Sequence, residues 1–165
     1  MDHLLPKTMT NENKKTIKKG ELLNTMIVLA TNSHSGQFDR GGNPYILHAL
    51  KVMHYLRTDD EELQCIAIGH DLIEDTDVTY VQLKELGFTD RIINGIKELT
   101  KQRGQSYDEY KKQVLSSGDA MKVKKCDLRH NSDIRRLKGV SEKDIARTFK
   151  YHQFYLEIEQ HENQQ

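Results

Sequence analysis

The residues able to do chemistry fall in three separate segments. His70-Asp71 and Glu74-Asp75 put four ionisable groups within six positions. Helical spacing carries the apolar stripe Leu63, Ile66, Ala67 and Ile73 through His70 and Glu74, with Asp71 and Asp75 beside it. Unpartnered carboxylates on a buried face cost roughly several kcal/mol each. Acidic groups near a helix C-terminus also meet the negative end of its dipole. Helix stability does not select this arrangement, whereas a bound cation would offset both costs. The pattern recurs at His48, beside Tyr45, Val52 and Tyr55, and at Asp127, which follows Ala120, Val123 and Cys126 with Asn131 one turn on. Two imidazoles and two carboxylates could make one divalent-metal site, which suits manganese, iron or zinc better than magnesium. A single buried His is more often a hydrogen-bonded core residue, and Asp127 alone could simply pair with an Arg, so the clustering carries the argument. His34 reads as loop structure, and His54, His152 and His161 as surface or packing residues.

These side chains need helices to hold them. With only two prolines and ten glycines in 165 residues, long helices are possible. The first is expected over 20–33, with Leu22, Leu23, Met26, Ile27 and Ala30 inward. A Gly-rich polar loop, 33–42, can bring backbone close to a ligand. Asn43 as N-cap and Pro44 as first helical residue would open a helix to about 56. Thr58 and Glu61 read as a capping box for a helix over 59–75. Thr79 with Gln82 caps a short helix that Gly87 ends, Thr89 starts another, and Ser106 with Glu109 forms a further box. Asp119 opens a helix through Leu137, and Ser141 opens the last, carrying Ile145, Phe149, Tyr155 and Leu156. The expected architecture is all-α: a polar arm at 1–19, one helical bundle over 20–160 with the metal site between helices, and a tail at 161–165.

Composition restricts the ligand. Lys plus Arg and Asp plus Glu both number 25, so no global field draws the chain to nucleic acid or an anionic membrane. Local charges must hold any anionic substrate, which favours a small phosphorylated molecule. No stretch is long and apolar enough to span a bilayer, and no secretory signal is evident. Cys65 and Cys126 are isolated, as in a cytoplasmic protein with free thiols.

Three blocks occur in order: Asn43-Pro44-Tyr45-Ile46-Leu47-His48, the run Gly69-His70-Asp71-Leu72-Ile73-Glu74-Asp75-Thr76-Asp77, and Lys122 to Asp127 with Asn131. Together they resemble the HD hydrolase domain of the RelA/SpoT proteins and their small stand-alone relatives, over roughly residues 20–160. The resemblance implies an HD-domain helical bundle and hydrolysis of the 3′-pyrophosphate of (p)ppGpp. It implies His48, His70, Asp71 and Asp127 as ligands of one divalent ion, usually Mn2+, and Glu74 and Asp75 as the pair that orients or activates the attacking water. Asn131 and Tyr151 match positions near the nucleotide, and Arg40 and Thr100-Lys101 fall in cleft-lining segments. Arg40, Lys101 and Lys124 would neutralise phosphate charge. The implied partner is a small-molecule nucleotide, with no nucleic acid or membrane, and a homo-oligomer is left open. Two positions depart from the family: Asp39 stands where a basic residue is usual, and Ala49 where Pro follows the ligand His. Asp39 motivates an alternative, an HD hydrolase of another phosphorylated nucleotide. A non-catalytic nucleotide sensor and a structural helical protein are further alternatives.

Overall fold

The chain is organised around one buried helix. In a computed structural model, which describes residues 18–164, α3 (Glu61–Gly69) buries Leu63, Cys65, Ile66, Ala67, Ile68 and Gly69. A helix apolar nearly all round belongs inside a bundle. It packs against α1 (Glu21–Ser33), α2 (Ile46–Leu56), α6 (Asp90–Leu99) and α8 (Gly118–Asn131). Two shorter helices, α5 (Tyr80–Glu85) and α7 (Tyr107–Leu115), fill the flanks, and α9 (Glu142–Glu162) lies along α8. The polar arm expected at 1–19 lies outside the described residues except for Lys18 and Lys19. Among the described residues the architecture is helical, with one isolated bridge between Phe38 and Pro44, and no helix is long and apolar enough to cross a membrane.

Local chemistry explains most boundaries. The boxes Thr79/Gln82 and Ser106/Glu109 form as expected, and Ser141 forms one with Asp144. Close packing of α6 on α3 depends on Gly95, where an added Cβ would fall 2.4 Å from Ile66 Cδ1.

Several expectations are corrected. Asp60, not Thr58, caps α3 by accepting from Leu63 N, and Glu61 instead accepts from Gly20 N and Leu23 N at the start of α1. The tertiary contact outcompetes the local box. Asn43 and Pro44 do not open α2. Pro44 bridges to Phe38, and the helix begins at Ile46. The helix predicted over 59–75 stops at Gly69, turns through His70 and Asp71, and resumes as α4 (Leu72–Asp75). α8 is capped by Ser117 and ends at Asn131, followed by a 3-10 turn (Ile134–Arg136). In α9 the buried face carries Phe154 and Ile158, whereas Ile145, Phe149 and Leu156 are exposed.

Candidate metal centre

The break after Gly69 decides the site. His70 is the C-cap of α3, and Asp71 follows with a non-helical backbone, so consecutive side chains reach the same point. His48 arrives from α2 and Asp127 from α8. His70 Nε2 lies 2.9 Å from Asp71 Oδ2 and 3.3 Å from His48 Nε2, which is 3.2 Å from Asp127 Oδ1 and 3.8 Å from Asp71 Oδ2. Donors about 2.1 Å from a shared ion lie about 3.0–3.4 Å apart at octahedral or tetrahedral angles. His48, His70 and Asp127 are buried, and Asp71 is partly so. His48, His70 and Asp71 bring their donor atoms mutually close, Asp127 Oδ1 adds to them 3.2 Å from His48 Nε2 and 3.7 Å from His70 Nε2, and the mixed nitrogen and oxygen donors fit one divalent transition ion.

The electrostatics point the same way. Burial opposes ionisation of Asp127, but the Lys124 ammonium and the two imidazoles outweigh it and hold the carboxyl well below the usual range. Burial likewise disfavours a charged His70, yet Asp71 and Asp127 pull its pKa well above the ordinary value. Paired carboxylates that draw a proton onto a buried imidazole create a place for positive charge, and a bound cation would release that proton.

Outer contacts orient the donors. His70 Nδ1 lies 2.7 Å from the Ala67 carbonyl oxygen, to which its N–H donates, so Nε2 can face the cluster. His48 Nδ1 lies 2.7 Å from His130 Nδ1. Burial and the Arg136 charge push His130 down to about 4, so it is neutral and can accept from His48 Nδ1–H, which leaves His48 Nε2 for an ion. The Tyr45 hydroxyl donates to Asp71 Oδ2. Asn131 Nδ2 donates to Asp127 Oδ1 at 2.6 Å, and Lys124 Nζ to Oδ2 at 2.7 Å.

Glu74 and Asp75 do not lie on a buried face, contrary to the stripe argument. Both are exposed, because the helix is interrupted between them and α3. Burial of part of each carboxyl raises both pKa values, and the Asp71 charge adds to this. Glu74 Oε1 accepts from the Lys101 backbone N–H. The Asp75 carbonyl accepts from Gln37 Nε2 at 2.7 Å, and Gln37 Oε1 lies 2.8 Å from buried His34 Nδ1.

A cleft of about 230 Å³ opens beside the donors. Its lining includes Tyr45, His48, Asn131 and Tyr151, with Arg40, Arg136 and Arg147 supplying cations. Arg40, Asn131 and Tyr151 thus meet in one cleft. The ammonium groups of Lys101 and Lys124 are not among its lining. Asp39 lines the cleft but is not a free anion. Its Oδ2 accepts from Arg136 Nη2 at 2.9 Å, and its Oδ1 from the backbone N–H groups of Gly41 and Asn43, each at 2.9 Å. Gly41 is required here, since a Cβ would fall 2.1 Å from the Arg136 carbonyl oxygen. Arg136 Nη1 also donates to the His130 carbonyl at 2.8 Å. Sequence reasoning missed Tyr45, His130, Arg136 and Arg147 as site residues. His130, one turn beyond Asp127, was the one that helical spacing could have found.

The same arrangement of helices occurs in a solved structure described as a metazoan ortholog of SpoT that hydrolyzes ppGpp. The TM-score is 0.70 at 20% identity, over 83% of this chain and 84% of that one. No family model matches the chain. Curated relatives include the guanosine-3′,5′-bis(diphosphate) 3′-pyrophosphohydrolases of Haemophilus influenzae, 32% identical over 63% of this chain, and of Vibrio cholerae, 34% identical over 62%. The chain is thus similar to (p)ppGpp hydrolases of the HD type over this region. A GTP pyrophosphokinase of Myxococcus xanthus is 28% identical over 77% of this chain. These matches span only 16–18% of the length of the three relatives. Within this helical frame, the donor cluster joins α2, the α3–α4 junction and α8.

Proposed function

We propose that this chain is a metal-dependent phosphohydrolase that converts guanosine-3′,5′-bis(diphosphate) to GDP and pyrophosphate, with Mn2+ as its ion. The observation that carries this reading is the convergence of His48, His70, Asp71 and Asp127 beside a cleft lined by three arginines. Curated relatives with this activity support the substrate assignment. A bound ion would supply Lewis-acid polarisation of a phosphoryl oxygen and lower the pKa of a nearby water.

The chain's own groups do the rest. Glu74 Oε1 is committed to Lys101 N, so Oε2 is the oxygen free to take the proton of the attacking water. Its raised pKa brings it closer to the range in which a general base works at neutral pH. Asp75, fixed through its backbone by Gln37, orients that water. The water attacks the phosphorus next to the ribose, the P–O3′ bond breaks, and the 3′ oxygen takes up a proton. Arg40 neutralises phosphate charge, and Asn131 and Tyr151 contact the nucleotide. Lys101 and Lys124 act through Glu74 and Asp127 rather than on the substrate. Domain limits of 20–160 and a cytoplasmic location accord with this reading.

Incubation of the purified protein with ppGpp and Mn2+, with and without chelator, tests it. The expected products are GDP and pyrophosphate, formed only without chelator. Unchanged ppGpp in Mn2+, or equal turnover in chelator, would count against the assignment.

A further inference from the structure

Of the three guanidiniums in the cleft, Arg136 is engaged by Asp39 and the His130 carbonyl. Arg40 and Arg147 meet on one atom, Asp144 Oδ1. Arg40 Nη1 lies 3.3 Å away and Arg147 Nη2 is closer. The other oxygen, Oδ2, accepts from Ser141 N at 3.0 Å and Ser141 Oγ at 2.6 Å, within the capping box of α9. The helix start therefore holds this carboxylate with its free oxygen aimed at both cations. The Arg40 side chain is 67% exposed and that of Arg147 25%, and both line the cleft. Any phosphate that engages Arg40 and Arg147 must compete with Asp144.

We propose that Asp144 is an internal counter-anion that a phosphate ligand must displace from Arg40 and Arg147, an autoinhibitory contact that weakens the hold of the cleft on mono- and diphosphates alike. This rests on the reading of the cleft as the nucleotide site. A carboxylate offers one charge shared between two guanidiniums. A monophosphate, at about −1.5 to −2 near neutral pH, has a small advantage over it. A diphosphate carries more charge, and its oxygens on two phosphorus atoms can face both guanidiniums at once. The displacement cost is the same for either ligand, so with Asp144 neutralised both gain by a similar factor.

Calorimetric titration of the Mn2+-loaded protein with GMP and with GDP, at low and high salt, tests this for wild type and Asp144→Asn. Asparagine keeps a side-chain oxygen for Ser141. Asp144→Gln, the more usual capping-box type, is the second variant should the first fold poorly. The expected result is GMP and GDP each bound about two- to fivefold more tightly at low salt, the scale of an exposed ion pair. Both gains should shrink at high salt. Unchanged or weaker binding of either nucleotide, or binding of neither to any form, would overturn the proposal. Because the readout is binding, failure of ppGpp turnover leaves the result legible.

Discussion

Replacing Asp127 by Asn should separate the charge of the cluster from its shape. The substitution is nearly isosteric, so the buried packing between α2 and α8 stays filled. What changes is the compensation of Lys124, whose ammonium lies 2.7 Å from Asp127 Oδ2 with its side chain 17% exposed. Stripping a fully buried ion of its partner costs about 3–5 kcal/mol. Lys124 retains some access to water, so about 2–3 kcal/mol is the working figure. At about 3 °C per kcal/mol for a domain of this size, the metal-free variant should melt about 6–9 °C below wild type. An ion at a hundred times its Kd should stabilise wild type by about 2.7 kcal/mol. That corresponds to a rise of about 8 °C. The variant, lacking the donor 3.2 Å from His48 Nε2, should lose most of that rise. Thermal melts of chelator-treated protein, with and without added Mn2+, read both quantities. A variant that melts with wild type and gains the same shift from Mn2+ would refute the shared-ion reasoning.

Glu74→Gln should keep the Mn2+-dependent rise in melting temperature yet lower ppGpp turnover about a hundredfold or more. Glu74 must be ionised to accept a proton and its pKa is raised, so wild-type activity should increase as pH climbs through that value, and the variant should lose this limb. Arg136→Met removes the cation that joins Asp39 to the His130 carbonyl. Mn2+ affinity, measured by competition with a chelating dye, should fall about 10–100-fold as outer contacts to the donors loosen. Gly95→Ala should destabilise by about 1–3 kcal/mol in denaturant unfolding, because its methyl would overlap Ile66.

How far the site was legible depended on distance along the chain. His70-Asp71 and Glu74-Asp75 announced themselves as charge on an apolar pattern. The pattern also misled, because it extended one helix through 59–75, and only the turn at His70-Asp71 brings both side chains to one point and leaves Glu74 and Asp75 exposed. Asp39 looked like an anion opposing a nucleotide. Its partner, Arg136, lies 97 positions away, and no local spacing joins them. Likewise Ser141 signalled a helix start, but not that Asp144 would receive Arg40 from the other side of the cleft.

The amino-acid sequence by itself determined the helical class, most of the caps and the donor types, because periodicity and capping act within one or two turns. Tertiary structure alone decided which donors meet, which tautomer His48 is set to use and which carboxylate each arginine of the cleft faces. Those outcomes arise where α2, α8 and α9 pack side by side, and each side chain there answers to neighbours that the local pattern does not contain.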